Sequence, residues 1–208
     1  MDKKTNILKR FVVYMAVLTF VMFTAWAIVK SFMNRPPGDY ETEVCDIRLK
    51  DKKYNEALEA ANIALEKSPN HRGAVMCKAL VFISEKKYYE ATEELNYLIE
   101  FLKNNLVDDD KTGIGTLAAA YANRGIIKDR SKNYDGALKD YIKALGIDHE
   151  AVAGPGLGTI ILNYKFKSSS VRERALYLNE QLQLPEEERV LSIQELDDGQ
   201  VMHKPGKL

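Results

Sequence analysis

Residues 118–148 have the pattern of two helices joined by a short polar turn. The first helix contains Gly125, and a glycine inside a helix costs roughly 1 kcal/mol relative to alanine, which indicates a packing reason for it. Gly125 on the first helix and Ala137 on the second are small enough for two antiparallel helices to lie almost in contact. Tyr121 and Tyr141 would then fill the space on either side. The stretch predicts a tightly packed helical hairpin.

This hairpin resembles the tetratricopeptide repeat (TPR), a helix–turn–helix unit of about 34 residues. The positions at which that family has its characteristic large and small residues are occupied here by Tyr121, Gly125, Tyr134, Ala137, Tyr141 and Ala144. The proline that closes a unit in the family is missing, and His149 stands in its place. The resemblance implies a solenoid whose first helices line a concave groove that binds peptides or a partner's helix.

Two further units in the same register precede this hairpin, and Ala91 follows Ala57 after 34 residues. The matching residues are Tyr54, Ala57, Ala61, Ala64 and Pro69 in the first unit and Ala79, Tyr88 and Ala91 in the second. In the first unit Cys45 takes the place of the usual glycine. The resemblance therefore covers three units, from about residue 38 to residue 148.

An insertion separates the second unit from the third, because Ala137 follows Ala91 after 46 residues. We place it at residues 104–115 and expect it to lengthen the second helix of unit two and to add a polar loop. Its three aspartates, residues 108–110, lack the alternating spacing and the closing glutamate of an EF-hand loop. They predict a solvated loop rather than a calcium site.

The pattern weakens after residue 148. The glycines of residues 154–158 match neither of the nucleotide-binding glycine motifs, so residues 151–167 are interpreted as a degenerate fourth unit. Ser170 and Glu173 have the spacing of a capping box, which predicts a helix to about Leu184 that caps the stack. Beyond it we expect an extended tail, which lies along the body or on a partner.

The N-terminal stretch of residues 11–29 contains no charged residue. As a helix it would span about 28 Å, close to the hydrocarbon thickness of a bilayer. A cleaved signal peptide is the alternative, but the apolar run is long for one and no small-x-small cleavage site follows. Basic residues before the run favour an N-terminus in the cytoplasm, and a lipid bilayer would surround residues 11–32.

The predicted fold class is all-α: a TPR helix–turn–helix solenoid with an N-terminal transmembrane helix. The predicted domains are a basic cytoplasmic N-terminus (1–10), a transmembrane anchor (11–32), a linker (33–39), the TPR solenoid (40–167), a capping helix (168–191) and an extended tail (192–208). With the N-terminus inside, the solenoid is predicted to be periplasmic or otherwise extracytoplasmic.

Composition and motifs favour no enzymatic or nucleic-acid function. The net charge is zero, but residues 1–32 carry +4, which leaves −4 for the remainder and no basic surface for nucleic acid. The three histidines are scattered, and no nucleophile stands in a catalytic motif, so we expect no enzyme, metal site or cofactor. Cys45 and Cys77 lie on the first helices of adjacent units. An oxidised pair is conceivable, but free buried thiols are favoured because the two register positions point in different directions.

The family's groove-lining positions fall on first helices. They hold Met76, Leu80, Ile83, Ala122, Ile126 and Asp129 in units two and three, and Thr42, Asp46 and Leu49 in unit one. The basic and asparagine residues with which some family members clamp a C-terminal carboxylate are mostly missing, and only Asn123 is suggestive. The apolar strip of unit two would bind a partner helix or be covered by this chain's own tail or capping helix. The sequence leaves these two interpretations open.

The predicted function is that of a non-enzymatic protein-interaction scaffold. It would serve as an accessory or assembly subunit of a membrane complex and hold a protein partner through the groove, and through the tail as well. The alternative is a membrane-anchored, chaperone-like module that holds unfolded client proteins.

Overall fold

A computed structural model describes residues 3–33, 35–150, 152, 170–193, 200, 202 and 203. Its contacts divide the chain into two compact units, Met1–Pro37 and Gly38–Leu208. The α-helices of the described part are α1 (Lys3–Met33), α2 (Asp39–Lys50), α3 (Tyr54–Lys67), α4 (Arg72–Ser84), α5 (Tyr88–Asn105), α6 (Lys111–Arg130), α7 (Tyr134–Ile147) and α8 (Val171–Leu182).

The first unit contains the single helix α1. Its stretch Ile7–Lys30 is long and apolar enough to cross a membrane, and its residues are exposed within the protein. The residues near its end include a ring pair, Phe23 edge-on to Trp26, and the Lys30 ammonium lies 4.8 Å from the centre of the Trp26 ring. A signal sequence has the same length and composition.

The second unit is a stack of helical hairpins. Helices α2 and α3, α4 and α5, and α6 and α7 pack as antiparallel pairs, and each pair also packs on the next one along the chain. The first helices are neighbours, α2 with α4 and α4 with α6, and α8 packs on α7 at the end of the stack. The predicted all-α solenoid of helix–turn–helix units is thus confirmed.

The turn inside each hairpin has one repeated backbone structure. Lys52, Lys86 and Lys132 each adopt a left-handed conformation, with φ of 59°, 60° and 62°. In each turn three main-chain N–H groups donate to carbonyl oxygens of the preceding helix. The residue before the lysine donates to the carbonyl four residues earlier, the lysine to the carbonyl three residues earlier, and the residue after it to the carbonyl five residues earlier. These bonds satisfy the last carbonyls of the first helix. The second helices then begin at the tyrosines that define the repeat, Tyr54, Tyr88 and Tyr134.

The small residues of the repeat lie where the helices of a pair approach each other. Ala57, Ala79, Ala91 and Ala144 have no exposed surface. In unit three a Cβ atom added to Gly125 would lie 2.6 Å from the ring of Tyr141 and 3.4 Å from the carbonyl oxygen of Ala137. A contact below 3.0 Å requires the neighbouring atoms to move. The two helices are therefore so close at Gly125 that only the hydrogen of a glycine fits between them.

The insertion lengthens the second helix of unit two, as expected, and its polar loop is confined to residues 106–110. Helix α5 has 18 residues and α6 has 20, whereas α2, α3, α4 and α7 have 12 to 14. Residues 111–115 belong to α6, because Asp110 caps that helix: its Oδ1 accepts the N–H of Gly113 at 2.8 Å. The other carboxylate oxygen of Asp110 pairs with Arg72 at the start of α4, and this hydrogen bond lowers the pKa of Asp110.

Cys45 and Cys77 form a disulfide, so the expectation of free thiols was wrong. Their Cα atoms are 6.5 Å apart, within the usual range for a disulfide, and neither residue is exposed. The error came from reading side-chain direction from the register of each unit separately. Register does not fix the rotation of one helix relative to its neighbour, and the packing of α2 on α4 brings both sulfur atoms into the contact.

The C-terminal cap begins as the sequence indicates. The Ser170 hydroxyl accepts the N–H of Glu173 at 3.2 Å, and the Glu173 carboxylate accepts the N–H of Ser170 at 2.9 Å. Helix α8 ends at Leu182, with Leu178 buried and Leu176 exposed. A short 3₁₀ turn, Glu186–Glu188, follows. The predicted fourth unit, residues 151–167, lies outside the described residues except for Val152, which is buried.

Candidate functional site: the groove and the C-terminal segment

The groove, as used below, is the face of α4 and α6 lined by the six predicted residues. All six are buried, none more than 5% exposed: Met76, Leu80, Ile83, Ala122, Ile126 and Asp129. The structure therefore brings them into one region, but it does not leave that region open to solvent. Part of what covers the groove is the chain's own C-terminal segment.

The groove holds a residue of that segment by its main chain. The N–H of His203 donates to Oδ1 of Asn123 at 2.8 Å, and Nδ2 of Asn123 donates to the carbonyl oxygen of His203 at 2.7 Å. A carboxamide offers one donor and one acceptor side by side, so it can pair with both polar main-chain groups of a single residue. Asn123 has no exposed surface, so this pairing replaces the water that both groups would otherwise bind.

The side chain of His203 is also enclosed. It is 7% exposed, and burial lowers its pKa from 6.5 to about 4. The imidazole is therefore neutral at neutral pH, because the desolvation that burial imposes disfavours the charged form. Met202, the residue before it, packs against the main hydrophobic core.

A second polar contact lies around Asp129 on the same helix, six residues beyond Asn123. The Arg174 guanidinium of α8 binds both carboxylate oxygens at 2.7 Å, and the hydroxyl of Tyr141 on α7 donates at 3.1 Å. Nε2 of Gln200 in the C-terminal segment donates to Oδ2 at 2.7 Å. Three separate segments thus supply hydrogen-bond donors to one buried carboxylate. Burial, assisted by the negative charge of Asp129, raises the pKa of Tyr141.

Arg174 and its neighbours also hold the chain that follows α8. Nη2 of Arg174 donates to the carbonyl oxygen of Leu191 at 2.9 Å, and the Tyr177 hydroxyl donates to the carbonyl oxygen of Val190. The N–H of Val190 donates in return to the side chain of Gln181 at 2.7 Å. The chain leaving the cap is therefore fixed on α8 at residues 190 and 191 before it reaches the groove.

No protein-family model and no curated protein matches this chain. Among solved structures it is similar to the Arabidopsis OM64 TPR domain, with 16% sequence identity and a TM-score of 0.44 over 66% of this chain and 95% of that one. The fold is TPR-like. The paired helices and the repeated turns described above show this.

The opposite face of this TPR-like third unit contains another buried carboxylate. Arg124 binds both oxygens of Asp140 at 2.8 Å, and Lys128 binds one of them at 2.7 Å. Burial opposes the charge on Asp140, but the hydrogen bonds from the two cations outweigh it and lower the pKa of Asp140. Asp140, with 3% of its side chain exposed, is therefore a buried group shared by two cations. Arg124 also binds Asn96 of α5 at 2.7 Å, so this group joins units two and three.

One of the groove-lining positions of unit one, Thr42, lies beside a different capping group. The imidazole of His71 accepts the N–H of Ala74 and so caps α4, while its other nitrogen lies 2.8 Å from Asp39. The hydroxyl of Thr42, one of the three predicted positions, lies 3.3 Å from that same imidazole. The contacts of this histidine are structural, because they join α2 to the start of α4.

Sequence reasoning missed three residues of the site: Arg174, Gln200 and His203. Each is far from its partner along the chain, by 45 residues for Arg174 and Asp129 and by 80 for His203 and Asn123. The available signal was Asn123 and Asp129 on an otherwise apolar buried helix, since buried polar groups require partners. Within the described residues, no group of histidine, cysteine and carboxylate side chains is arranged to hold a metal ion.

Proposed function

We propose that the protein is a membrane-anchored interaction scaffold whose groove binds a non-helical segment of a partner protein. The observation that supports this is the pairing of Asn123 with both main-chain groups of His203. Such a contact recognises a peptide without requiring a particular side chain at the paired position, and the apolar groove lining supplies the burial that accompanies it. The proposed role is non-enzymatic.

The proposed placement has α1 as a retained transmembrane helix, the N-terminus in the cytoplasm and the solenoid on the other side. The flanking lysines and arginines support this orientation. The disulfide between Cys45 and Cys77 supports it independently, because disulfides persist in oxidising compartments and are rare in the cytosol. On this placement the partner is a subunit of a membrane complex, and the scaffold is an accessory or assembly subunit.

The function is tested by purifying the full-length chain from membranes in mild detergent and identifying what accompanies it. A constitutive scaffold recovers a partner at fixed stoichiometry. Asn123→Ala should reduce that recovery at least tenfold while the helical content stays unchanged, and Asn179→Ala, on the exposed side of α8, should leave recovery unaffected. Full recovery with Asn123→Ala in a folded chain would overturn the groove as the site. Recovery of many different proteins, each in substoichiometric amount, would instead indicate a chaperone-like module that binds unfolded client proteins.

Lysine substitution of the apolar lining is a poor test of the same site. Leu80 is 4% exposed and Ile126 is 2% exposed, so a lysine at either position would place a charge in the core and unfold the unit. Asn123 is the better target because its side chain contacts the ligand-like segment directly.

The orientation is tested separately with protease added to intact spheroplasts. Digestion of the solenoid from outside is expected. Protection that ends only when the membrane is opened would place the solenoid in the cytoplasm and would contradict the disulfide as well.

A further inference from the structure

The groove is occupied at two points by one short segment of the same chain. Gln200 binds Asp129, and three residues later His203 binds Asn123. Between them Met202 packs against the core. Gln200, Met202 and His203 are called the tail motif below.

The contact of Gln200 defines what a ligand needs at that position. Asp129 already carries the charge of a carboxylate and is balanced by one guanidinium, that of Arg174. Gln200 adds a neutral N–H donor, which completes the hydrogen bonding without changing the charge of a buried site. An acidic side chain there would be repelled by Asp129, and a lysine or arginine would bring an unbalanced charge into the core.

The contact of His203 defines what a ligand needs at the other end of the motif. Both main-chain groups of that residue are engaged by Asn123, so the ligand must have a free N–H at this position, which excludes proline. The enclosed side chain is uncharged at neutral pH and 7% exposed. The segment is therefore uncharged at each described point where it enters the groove.

We propose, as an extension of the function proposed above, that the tail motif is an internal competitor for the groove. The partner that displaces it presents the same chemistry in a non-helical segment. It has a neutral hydrogen-bond donor, then an apolar side chain two residues later, then a residue with a free main-chain N–H and an uncharged side chain.

Competition within one chain has a large effect on apparent affinity. A tethered segment acts at an effective concentration in the millimolar range. If the groove is closed by the tail motif about 99% of the time, an outside ligand binds about a hundredfold more weakly than to the open groove. The partner therefore binds only when it is concentrated beside the scaffold, as a neighbouring subunit in the same membrane is.

The test uses the full-length chain in mild detergent and a fluorescent peptide with the sequence of residues 196–206. A double variant, Gln200→Ala with His203→Pro, removes the donor to Asp129 and the N–H that Asn123 accepts, and leaves the groove itself unaltered. The peptide should bind this variant roughly a hundredfold more tightly than the wild type. Adding Asn123→Ala should lower the affinity at least tenfold. A Glu187→Ala, Glu188→Ala control changes two exposed residues of the same region and should behave as wild type.

The peptide itself provides the specificity control. Proline at its histidine position, or glutamate at its glutamine position, should abolish binding to the double variant. Binding that survives both changes would overturn the proposed ligand pattern. Equal affinity of the unaltered peptide for the wild type and for a folded double variant would overturn the competition.

A wild-type measurement keeps the proposal falsifiable if the double variant fails to fold. The His203 amide should be protected from hydrogen exchange, because its N–H is bound to Asn123 in a buried site. Excess unlabelled peptide should speed its exchange at least tenfold, whereas the proline-containing peptide should not. An exchange rate unaffected by either peptide would show that the peptide does not compete with the tail motif.

These outcomes separate the inference from the function on which it rests. If Asn123→Ala loses the partner but the peptide does not bind, the groove would remain the partner site. Only the proposal that the ligand resembles the tail motif would then be overturned. Partner recovery unaffected by Asn123→Ala would remove the groove function, whatever the peptide does.

Discussion

The two ends of the row of first helices, α2, α4 and α6, are fastened by different chemistry. Between units one and two, α2 and α4 are joined by the Cys45–Cys77 disulfide, which has no exposed surface. At the third unit, α6 is joined to the C-terminal part of the chain by the ion pair of Asp129 with Arg174 and by the pairing of Asn123 with His203. The first fastening is covalent, and the second consists of hydrogen bonds and charge.

This difference separates permanent from exchangeable contacts. A disulfide constrains the unfolded chain and stays closed without reducing agent, whereas a hydrogen-bonded segment can leave and be replaced by another. Cys45 and Gly125 occupy the same register position in their units. The repeat uses that position for a covalent link in unit one and for direct helix contact in unit three. We conclude that the disulfide between units one and two gives rigidity. On the function proposed above, the hydrogen-bonded contact at unit three gives a ligand access to the groove.

The largest effect is expected at the ion pair. Arg174→Ala leaves the carboxylate of Asp129 buried without its counter-charge, and breaking a buried pair in this way costs about 3–5 kcal/mol. Thermal unfolding of the full-length chain in mild detergent should show a midpoint clearly below that of the wild type. Arg172→Ala, on the exposed face of the same helix, should change stability by less than about 0.5 kcal/mol. Equal midpoints for the two variants would contradict a fastening role for Arg174.

The disulfide ranks second. The two cysteines are 32 residues apart, and closing a loop of that length should stabilise the fold by about 3–4 kcal/mol. Cys45→Ala with Cys77→Ala should lower the free energy of unfolding by that amount, which would appear as a lower thermal midpoint. The same variant should keep the tail motif in the groove, as judged by protection of the His203 amide. Loss of that protection would show that the two junctions are coupled rather than independent.

The contact at Gly125 comes third. Gly125→Ala brings a methyl group within 2.6 Å of the Tyr141 ring, and that ring is held at Asp129 by its hydroxyl. Overpacking of this kind costs about 1–3 kcal/mol. The matched control is Gly146→Ala on α7, where an added Cβ meets nothing within 4 Å. That change should instead stabilise the helix by up to about 1 kcal/mol. Stabilisation by both changes would show that the helices of unit three are farther apart than described.

Acidification should loosen the exchangeable junction and spare the covalent one. A released His203 takes up a proton below its ordinary pKa of 6.5, whereas the docked imidazole does so only near 4. Docking is therefore fully stable above pH 6.5 and weakens as the pH falls towards 4, by about 1.4 kcal/mol at pH 5.5. His203→Gln should remove the change in His203-site amide protection between pH 8 and pH 5.5. A pH dependence unchanged by this substitution would assign the effect to another group.

The smallest effect is expected where the two regions are alike. Lys86→Gly relieves a left-handed φ of 60° and should stabilise the fold by about 0.5–1 kcal/mol, because glycine adopts this conformation freely. Lys52→Gly and Lys132→Gly, in equivalent turns, should give the same gain in unfolding midpoint. A gain confined to one turn would show that the units unfold separately rather than together.

The sequence predicted the contacts that lie within one hairpin. The repeat register places Gly125 opposite Ala137 in one helix pair, and the structure confirms a close approach there, with the Tyr141 ring closer still to Gly125. The repeated tyrosines likewise marked where the second helices begin. These features follow from local periodicity, which the residue pattern carries directly.

The contacts between hairpins and with the C-terminal segment could not be predicted in this way. The pairing of Cys45 with Cys77 depends on how α2 and α4 are rotated against each other, which no residue pattern in either helix specifies. The pairing of Asn123 with His203 joins residues 80 positions apart, and no periodicity connects them. The burial of polar side chains showed that partners were needed, but not which ones.

The repeated lysine turns have a consequence for the kinetics of association. Because the helices of each pair are antiparallel, all three turns lie at one edge of the solenoid, and each turn contains exposed lysines. Two of these lysines pair with carboxylates, Lys53 with Glu56 and Lys87 with Glu85, and we expect the others to give that edge a local positive field. The lysines of the three turns are Lys52, Lys53, Lys86, Lys87 and Lys132. Such a field speeds the approach of an acidic molecule and is weakened by salt, whereas the uncharged contacts of Gln200 and His203 set how slowly a ligand leaves. The rate of encounter and the rate of escape are thus encoded on different surfaces of the molecule.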